Sequence, residues 1–182
     1  MERKTVKGKP HIVGYHTQEF RAMEQPLNKP IKCLAKNAWL GIGYYFWTEI
    51  EFAHYWGEDF KKGYSGYYDI YKASLDVSNF INSVFDQEGY FFLRSKIEET
   101  LNHFKKHNKQ ISLEKIHRFL SDEIWKKLGV EGIIYDDKPV NSRRSDRVYS
   151  EIPDLYYKKR IQIVSFALNN IHKFVLHLEE QN

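Results

Sequence analysis

The sequence predicts an α+β fold. Segments of strand character stand at both ends of the chain, two stretches of helical periodicity lie between them, and no internal repeat or low-complexity stretch interrupts the pattern. At 182 residues the chain is long enough for one ordinary domain, read as spanning 1–182. A domain of that size buries roughly 70% of the surface its unfolded chain exposes, so a sizeable core is available.

The elements follow in order. His11 to His16 reads as a short strand, because apolar and β-forming residues begin directly after Pro10. Thr17 to Ala38 holds Pro26 and Pro30 among scattered polar residues and predicts a loop with at most one short helix. Trp39 to Trp47 is the densest apolar run and carries Gly41 and Gly43, which predicts a buried strand entered through a tight turn. Thr48 is placed to cap a helix whose first turn carries Glu49 and Glu51, the sign favoured by the helix dipole, and which ends near Gly57. Tyr67 to Leu75 is a further strand.

Two helices follow. Leu93, Ile97, Leu101 and Phe104 share one face of the first, and Leu113, Ile116, Leu120, Ile124 and Leu128 form the stripe of the second. Ser112 is its N-cap and Gly129 its terminating residue. Gly132 to Tyr135 reads as a strand, Asp136 to Arg147 as a polar segment, and Arg160 to Phe166 and His172 to Leu178 as the closing strands.

Composition narrows the function classes. Hydrophobic residues make up 42% and charged residues 29%, and no apolar run approaches the ~20 residues of a membrane helix. Neither a disordered tail nor a membrane protein is expected. The net charge of +4 permits nucleic-acid binding without indicating it. Cys33 stands alone, which excludes an internal disulfide and a cysteine-based zinc cage, and it reads as a buried spectator. No apolar core follows the charged N-terminus, so the expected location is the cytoplasm; an effector delivered without a signal would look the same.

The aromatic fraction is 16%, with 13 Tyr, 12 Phe and 4 Trp, which suits either a packed core or a stacking site. Common cofactor motifs are absent. The G-x-G at Gly41 and Gly43 lacks the third glycine and the strand-to-helix context of a phosphate loop. His103 and His107 are four apart on a helix but lack the Glu of H-E-x-x-H and are flanked by lysines, which favours a solvated face and no metal. No helical R-x-x-x-x-H or paired catalytic His suggests an RNA-cleaving toxin.

Three features in order remain. Gly14-Tyr15-His16-Thr17 ends the first strand; Gly41-Ile-Gly43-Tyr44-Tyr45-Phe46 precedes Ala53-His54-Tyr55; and Gln162-Ile163 lies in a late strand. Together they resemble the ADP-ribosyltransferase superfamily, on the branch of diphtheria-type toxins and poly(ADP-ribose) polymerases, over about residues 11 to 178. Ser150-Glu151-Ile-Pro153 ahead of Gln162-Ile163 is similar to small bacterial members.

The resemblance implies a split mixed β-sheet core with flanking helices, and NAD as substrate with no metal. His16 would exchange a hydrogen bond with the adenosine ribose, and residue 17 would offer its backbone N–H and C=O to the carboxamide. Gly43 and Tyr45 would belong to the NAD site, with Tyr45 and Tyr55 sandwiching the nicotinamide for roughly 1 kcal/mol apiece. Gln162, or Glu151 on the preceding segment, would fill the third catalytic position beside the oxocarbenium-like ribose.

The chain departs from the pattern at three places. Thr17 replaces the usual Gly, Phe52 stands where a serine often lies near nicotinamide, and Gln162 replaces the Glu of polymerising members. The expected activity is therefore mono-ADP-ribosyl transfer to a macromolecular acceptor, or NAD hydrolysis, in a bacterial toxin or defence effector with a possible antitoxin partner. The alternative is a catalytically inactive module of the same fold that binds RNA, protein or a nucleotide, with Arg143, Arg144 and Arg147 near Tyr149 as its basic aromatic surface.

Overall fold

The computed structural model describes residues 3–6, 9–20, 26–36, 38, 40–62, 66–137 and 159–177, with backbone alone for 3–6. The chain is a mixed α/β structure: eight strands, β1 (Arg3–Val6), β2 (Lys9–Glu19), β3 (Tyr44–Trp47), β4 (Tyr68–Asp76), β5 (Phe80–Asn82), β6 (Gly132–Asp136), β7 (Ile161–Ser165) and β8 (Ile171–Leu176), are combined with helices α1 (Ile50–Trp56), α2 (Gln87–Lys106) and α3 (Leu113–Phe119). The sheet order is β5-β6-β7-β3-β2-β4-β8, and β1 also pairs with β2. The α+β expectation therefore holds at the level of class.

β2 outruns its expected length. Its polar end from Thr17 to Glu19 stays extended because β4 pairs with it residue for residue, from His11↔Asp76 to Glu19↔Tyr68. On the opposite edge, β1 pairs with the start of β2, from Val6↔Lys9 to Arg3↔Ile12, and β3 meets it at the single pair Tyr15↔Trp47. That one pair joins two half-sheets, β5-β6-β7-β3 and β2-β4-β8 with β1. Gly14 makes the join possible: a Cβ there would lie 2.6 Å from Leu75 Cδ1 and 2.9 Å from Phe46 Cβ.

Three apolar clusters hold the sheet. One lies where α2, α3 and the helical turns after α3 pack on the half-sheet carrying β6 and β7, around Leu93, Phe104, Leu120, Trp125, Ile133 and Val164. A second lines the other face with Ile12, Phe46, Leu75, Ile134, Ile161 and Ile163. The third is Trp47, Phe52, Ala53 and Ile70, with α1 laid against β2, β3 and β4.

Several elements differ from expectation for identifiable reasons. The apolar run before β3 is a turn up to Gly43, with Gly41 at φ +89°, so only Tyr44–Trp47 is strand. Cys33 pairs with Gly43 as an isolated bridge and is half-buried, not buried. Thr48 does not cap α1; its N–H and hydroxyl both point to the Ile161 carbonyl, at 3.1 and 3.4 Å, and Glu49 takes the N-cap position.

Gly57 does not end the helix either, which continues with π-type turns over Gly57–Lys61. Its φ of −59° is ordinary, and the glycine serves space: a Cβ would collide with the Tyr68 ring. α2 and α3 appear as expected, with Ser112 accepting from the Lys115 N–H and Gly129 left-handed at φ +67°. After α3, π-type turns over Leu120–Trp125 put Trp125 beneath Leu120, and Leu128 is exposed. β1 and β5 were not anticipated, and β5 runs parallel to β6.

Candidate functional site

Several of the residues singled out in the sequence stand where the two half-sheets meet, and others lie apart. In the register of four adjacent strands, Tyr15, Trp47, Gln162 and Tyr135 form one row across β2, β3, β7 and β6. Side chains alternate along each strand, so this row shares a face with Thr17, Tyr45 and Arg160, while His16 and Phe46 belong to the other. Beyond Tyr15 and Trp47 the ladder between β2 and β3 stops, although β3 remains paired with β7 through Tyr44↔Ser165.

His16 spans the separation. Its Nδ1 lies 2.8 Å from the Tyr45 carbonyl oxygen, an acceptor only, so Nδ1 carries the proton and the neutral ring leaves Nε2 as an acceptor. The ring is buried, tilted against Phe46 at 5.4 Å and edge-on to Phe174 at 6.0 Å. Burial drives its pKa down to about 4, opposed by the hydrogen bond to the Tyr45 backbone and by the nearby Gln18 side chain. Despite that proximity, Nε2 makes no hydrogen bond among the described residues and is closed off within the protein. An unsatisfied buried acceptor is rare enough to need a reason.

Thr17 ties β2 to α1: its buried hydroxyl donates to the Ala53 carbonyl at 2.7 Å. The Cβ that sets it apart from the usual glycine thus carries a structural bond. Gly43 is held by close approach, since a Cβ there would sit 2.5 Å from Val164 Cγ2 and 2.8 Å from the Ser165 carbonyl oxygen.

The two tyrosines are placed apart. Tyr45 packs with the cluster under α2 and α3, and its hydroxyl braces the preceding turn, donating to Gly41 O at 2.6 Å and accepting from Leu40 N at 3.2 Å. Burial raises its pKa, which keeps the phenol protonated. Tyr55 packs instead with the cluster around Trp47, edge-on to Phe52 at 6.1 Å. The side chain of Phe52 is fully buried and offers no hydrogen bond.

Gln162 is buried in β7, directly opposite Trp47 on one side and Tyr135 on the other. Glu151 and the Arg143, Arg144, Arg147 and Tyr149 group lie outside the described residues. The rings of His103 and His107 lie 4.3 Å apart, tilted by 37°, at the exposed end of α2, where Lys109 approaches His103 Nε2 at 3.2 Å. Among the described residues no group of three or more His, Cys, Asp or Glu could hold a metal ion, and no helix is long and apolar enough to cross a membrane.

Two charged residues beside this row went unassigned in the sequence. Arg160 Nη2 lies 3.3 Å from Asp137 Oδ2, and its guanidinium sits over the rings of Trp47 and Phe52 at 5.4 and 5.7 Å. Asp137 N–H donates to the Arg160 carbonyl at 2.7 Å, extending the β6–β7 ladder by one step. Burial raises the Asp137 pKa and the Arg160 charge opposes that rise. The available signal was alternation, which places Arg160 on the Gln162 face of the strand.

Several cavities border the described residues. One of about 130 Å³ lies between the 34–42 turn and α3, a second of about 430 Å³ beside Phe104 and Phe119, and a third of about 800 Å³ is lined by Asp86, Tyr90, Tyr135 and Asp137. The third touches the row through Tyr135. No protein-family model matches this chain, and neither does a curated protein or a solved structure.

Proposed function

We propose that this chain cleaves the nicotinamide–ribose bond of NAD and transfers ADP-ribose to a macromolecular acceptor or to water. The observation that carries the reading is the separation of β2 from β3, spanned by a neutral His16 whose Nε2 acceptor has no partner. A ribose hydroxyl would supply the missing donor once the strands part enough to admit it. The α1 face of the sheet supports the same reading, because Thr17, Trp47, Tyr55 and Gln162 all approach the start of that separation.

Rupture of the glycosidic bond leaves the bonding pair on nicotinamide and a cation shared between the ribose carbon and ring oxygen. The protein's task is to hold the ribose and accept its hydroxyl protons in hydrogen bonds as that charge develops. The Gln162 amide oxygen does this as a dipole without formal charge. It lacks the carboxylate that would activate a sugar hydroxyl as the next acceptor, so a single transfer is favoured over chain growth. Tyr55, half-buried at the edge of the Trp47 cluster, supplies ring surface for the nicotinamide.

Isothermal titration with NAD and an assay for released nicotinamide test the proposal. Saturable NAD binding and nicotinamide release, both lost in His16→Ala, are expected; a folded protein that does neither refutes it. Binding without release would instead support the inactive nucleotide-binding module, a reading favoured by the uncharged Gln162.

A further inference from the structure

We propose that Arg160 is the diphosphate-binding residue of this site, an assignment that rests on the NAD reading and names the group recognised. The side chain is fixed before any ligand arrives: its guanidinium lies across Trp47 and Phe52, and Nη2 is 3.3 Å from Asp137 Oδ2. A guanidinium presents five N–H donors in a planar fork. The Asp137 contact is long and occupies one terminal nitrogen, and Nε is buried with no hydrogen-bond partner among the described residues.

A buried cationic donor without an acceptor is poorly explained by folding alone, since packing on two rings needs no unsatisfied N–H. The fork matches phosphate oxygens, and its flat faces are already used by aromatic contacts that keep it from swinging away. Arg160 also stands two residues before Gln162, which alternation along the strand puts on the same face. A diphosphate joined to the ribose proposed beside Gln162 lies within reach. With 15% of its side chain exposed, Arg160 retains a path to solvent.

The test compares three ligands on the full chain by calorimetry: NAD, ADP-ribose, and nicotinamide riboside, which keeps the nicotinamide glycoside but has no phosphate. Arg160→Gln is expected to weaken NAD and ADP-ribose by about 10- to 100-fold while changing nicotinamide riboside by less than about twofold. Arg160→Lys keeps the charge without the fork and falls between. On the unaltered protein, added salt should weaken NAD and ADP-ribose but not the riboside, a readout that does not depend on any variant folding.

Equal losses for all three ligands, or unchanged NAD binding in a folded Arg160→Gln, overturn the assignment while leaving the NAD reading intact. Binding of none of the three by the unaltered protein overturns both.

Discussion

The imidazole of His16 donates through Nδ1 to the carbonyl oxygen of Tyr45, 2.8 Å away, and so joins β2 to β3 just where their backbone ladder ends. A side chain thus satisfies a backbone acceptor beyond the last ladder pair. The ring must stay neutral to do so in a buried setting, and this has a consequence for stability.

Because burial lowers the His16 pKa from 6.5 to about 4, the unfolded chain takes up a proton within that window while the folded protein does not. The stabilisation is present in full above pH 6.5, declines on acidification, and is gone below about pH 4. The loss is on the order of 3 kcal/mol at its limit. Urea unfolding at a series of pH values should show a steeper decline for the native sequence than for His16→Gln, and parallel curves would refute the account.

Removing the Thr17 hydroxyl with Thr17→Val should cost about 1–2 kcal/mol, because the isosteric methyl cannot donate to the Ala53 carbonyl. The Ala53 oxygen also accepts from the Gly57 N–H, which keeps the loss from being larger. A denaturation midpoint shift with an unchanged m-value checks it.

Tyr45→Phe separates bracing from stacking. The ring remains, but the Gly41 carbonyl loses its donor and the Leu40 N–H its acceptor, for about 1–3 kcal/mol. Chemical denaturation should register that loss, while NAD affinity should change by less than about twofold, below the roughly 0.5–1.5 kcal/mol that losing an aromatic contact would cost.

At the proposed third catalytic position, Gln162→Ala should lower the rate of nicotinamide release by about 100-fold, the scale on which one positioned dipole acts. NAD affinity should fall far less. Release at the unaltered rate would remove Gln162 from the chemistry and direct attention to the segment that carries Glu151.

Much of the local structure was legible before folding. Leu93, Ile97, Leu101 and Phe104 repeat at helical spacing, and Ser112 and Gly129 punctuate the second helix, because these signals act over a few residues. The errors came where a distant neighbour intervened. Thr48 looked like a cap until the Ile161 carbonyl claimed its hydroxyl, and Gly57 looked like a stop although the Tyr68 ring explains it.

The candidate site shows the same division. Sequence order alone selected His16, Thr17, Gly43, Tyr45, Tyr55 and Gln162, and the strand register places Gln162 opposite Trp47, which is opposite Tyr15. It did not show that Tyr45 and Tyr55 lie in separate apolar clusters, that Thr17 is bound to α1, or that Arg160 lies over Trp47.

By itself, then, the sequence determined the class of fold, the helices and the residue types available for chemistry, since each follows from periodicity and local hydrogen bonding. Only the tertiary structure decided which of those residues share a face, and which polar atoms are left without a partner. Both depend on strand register and on packing between segments more than a hundred residues apart, such as Thr48 and Ile161, and no local pattern encodes either.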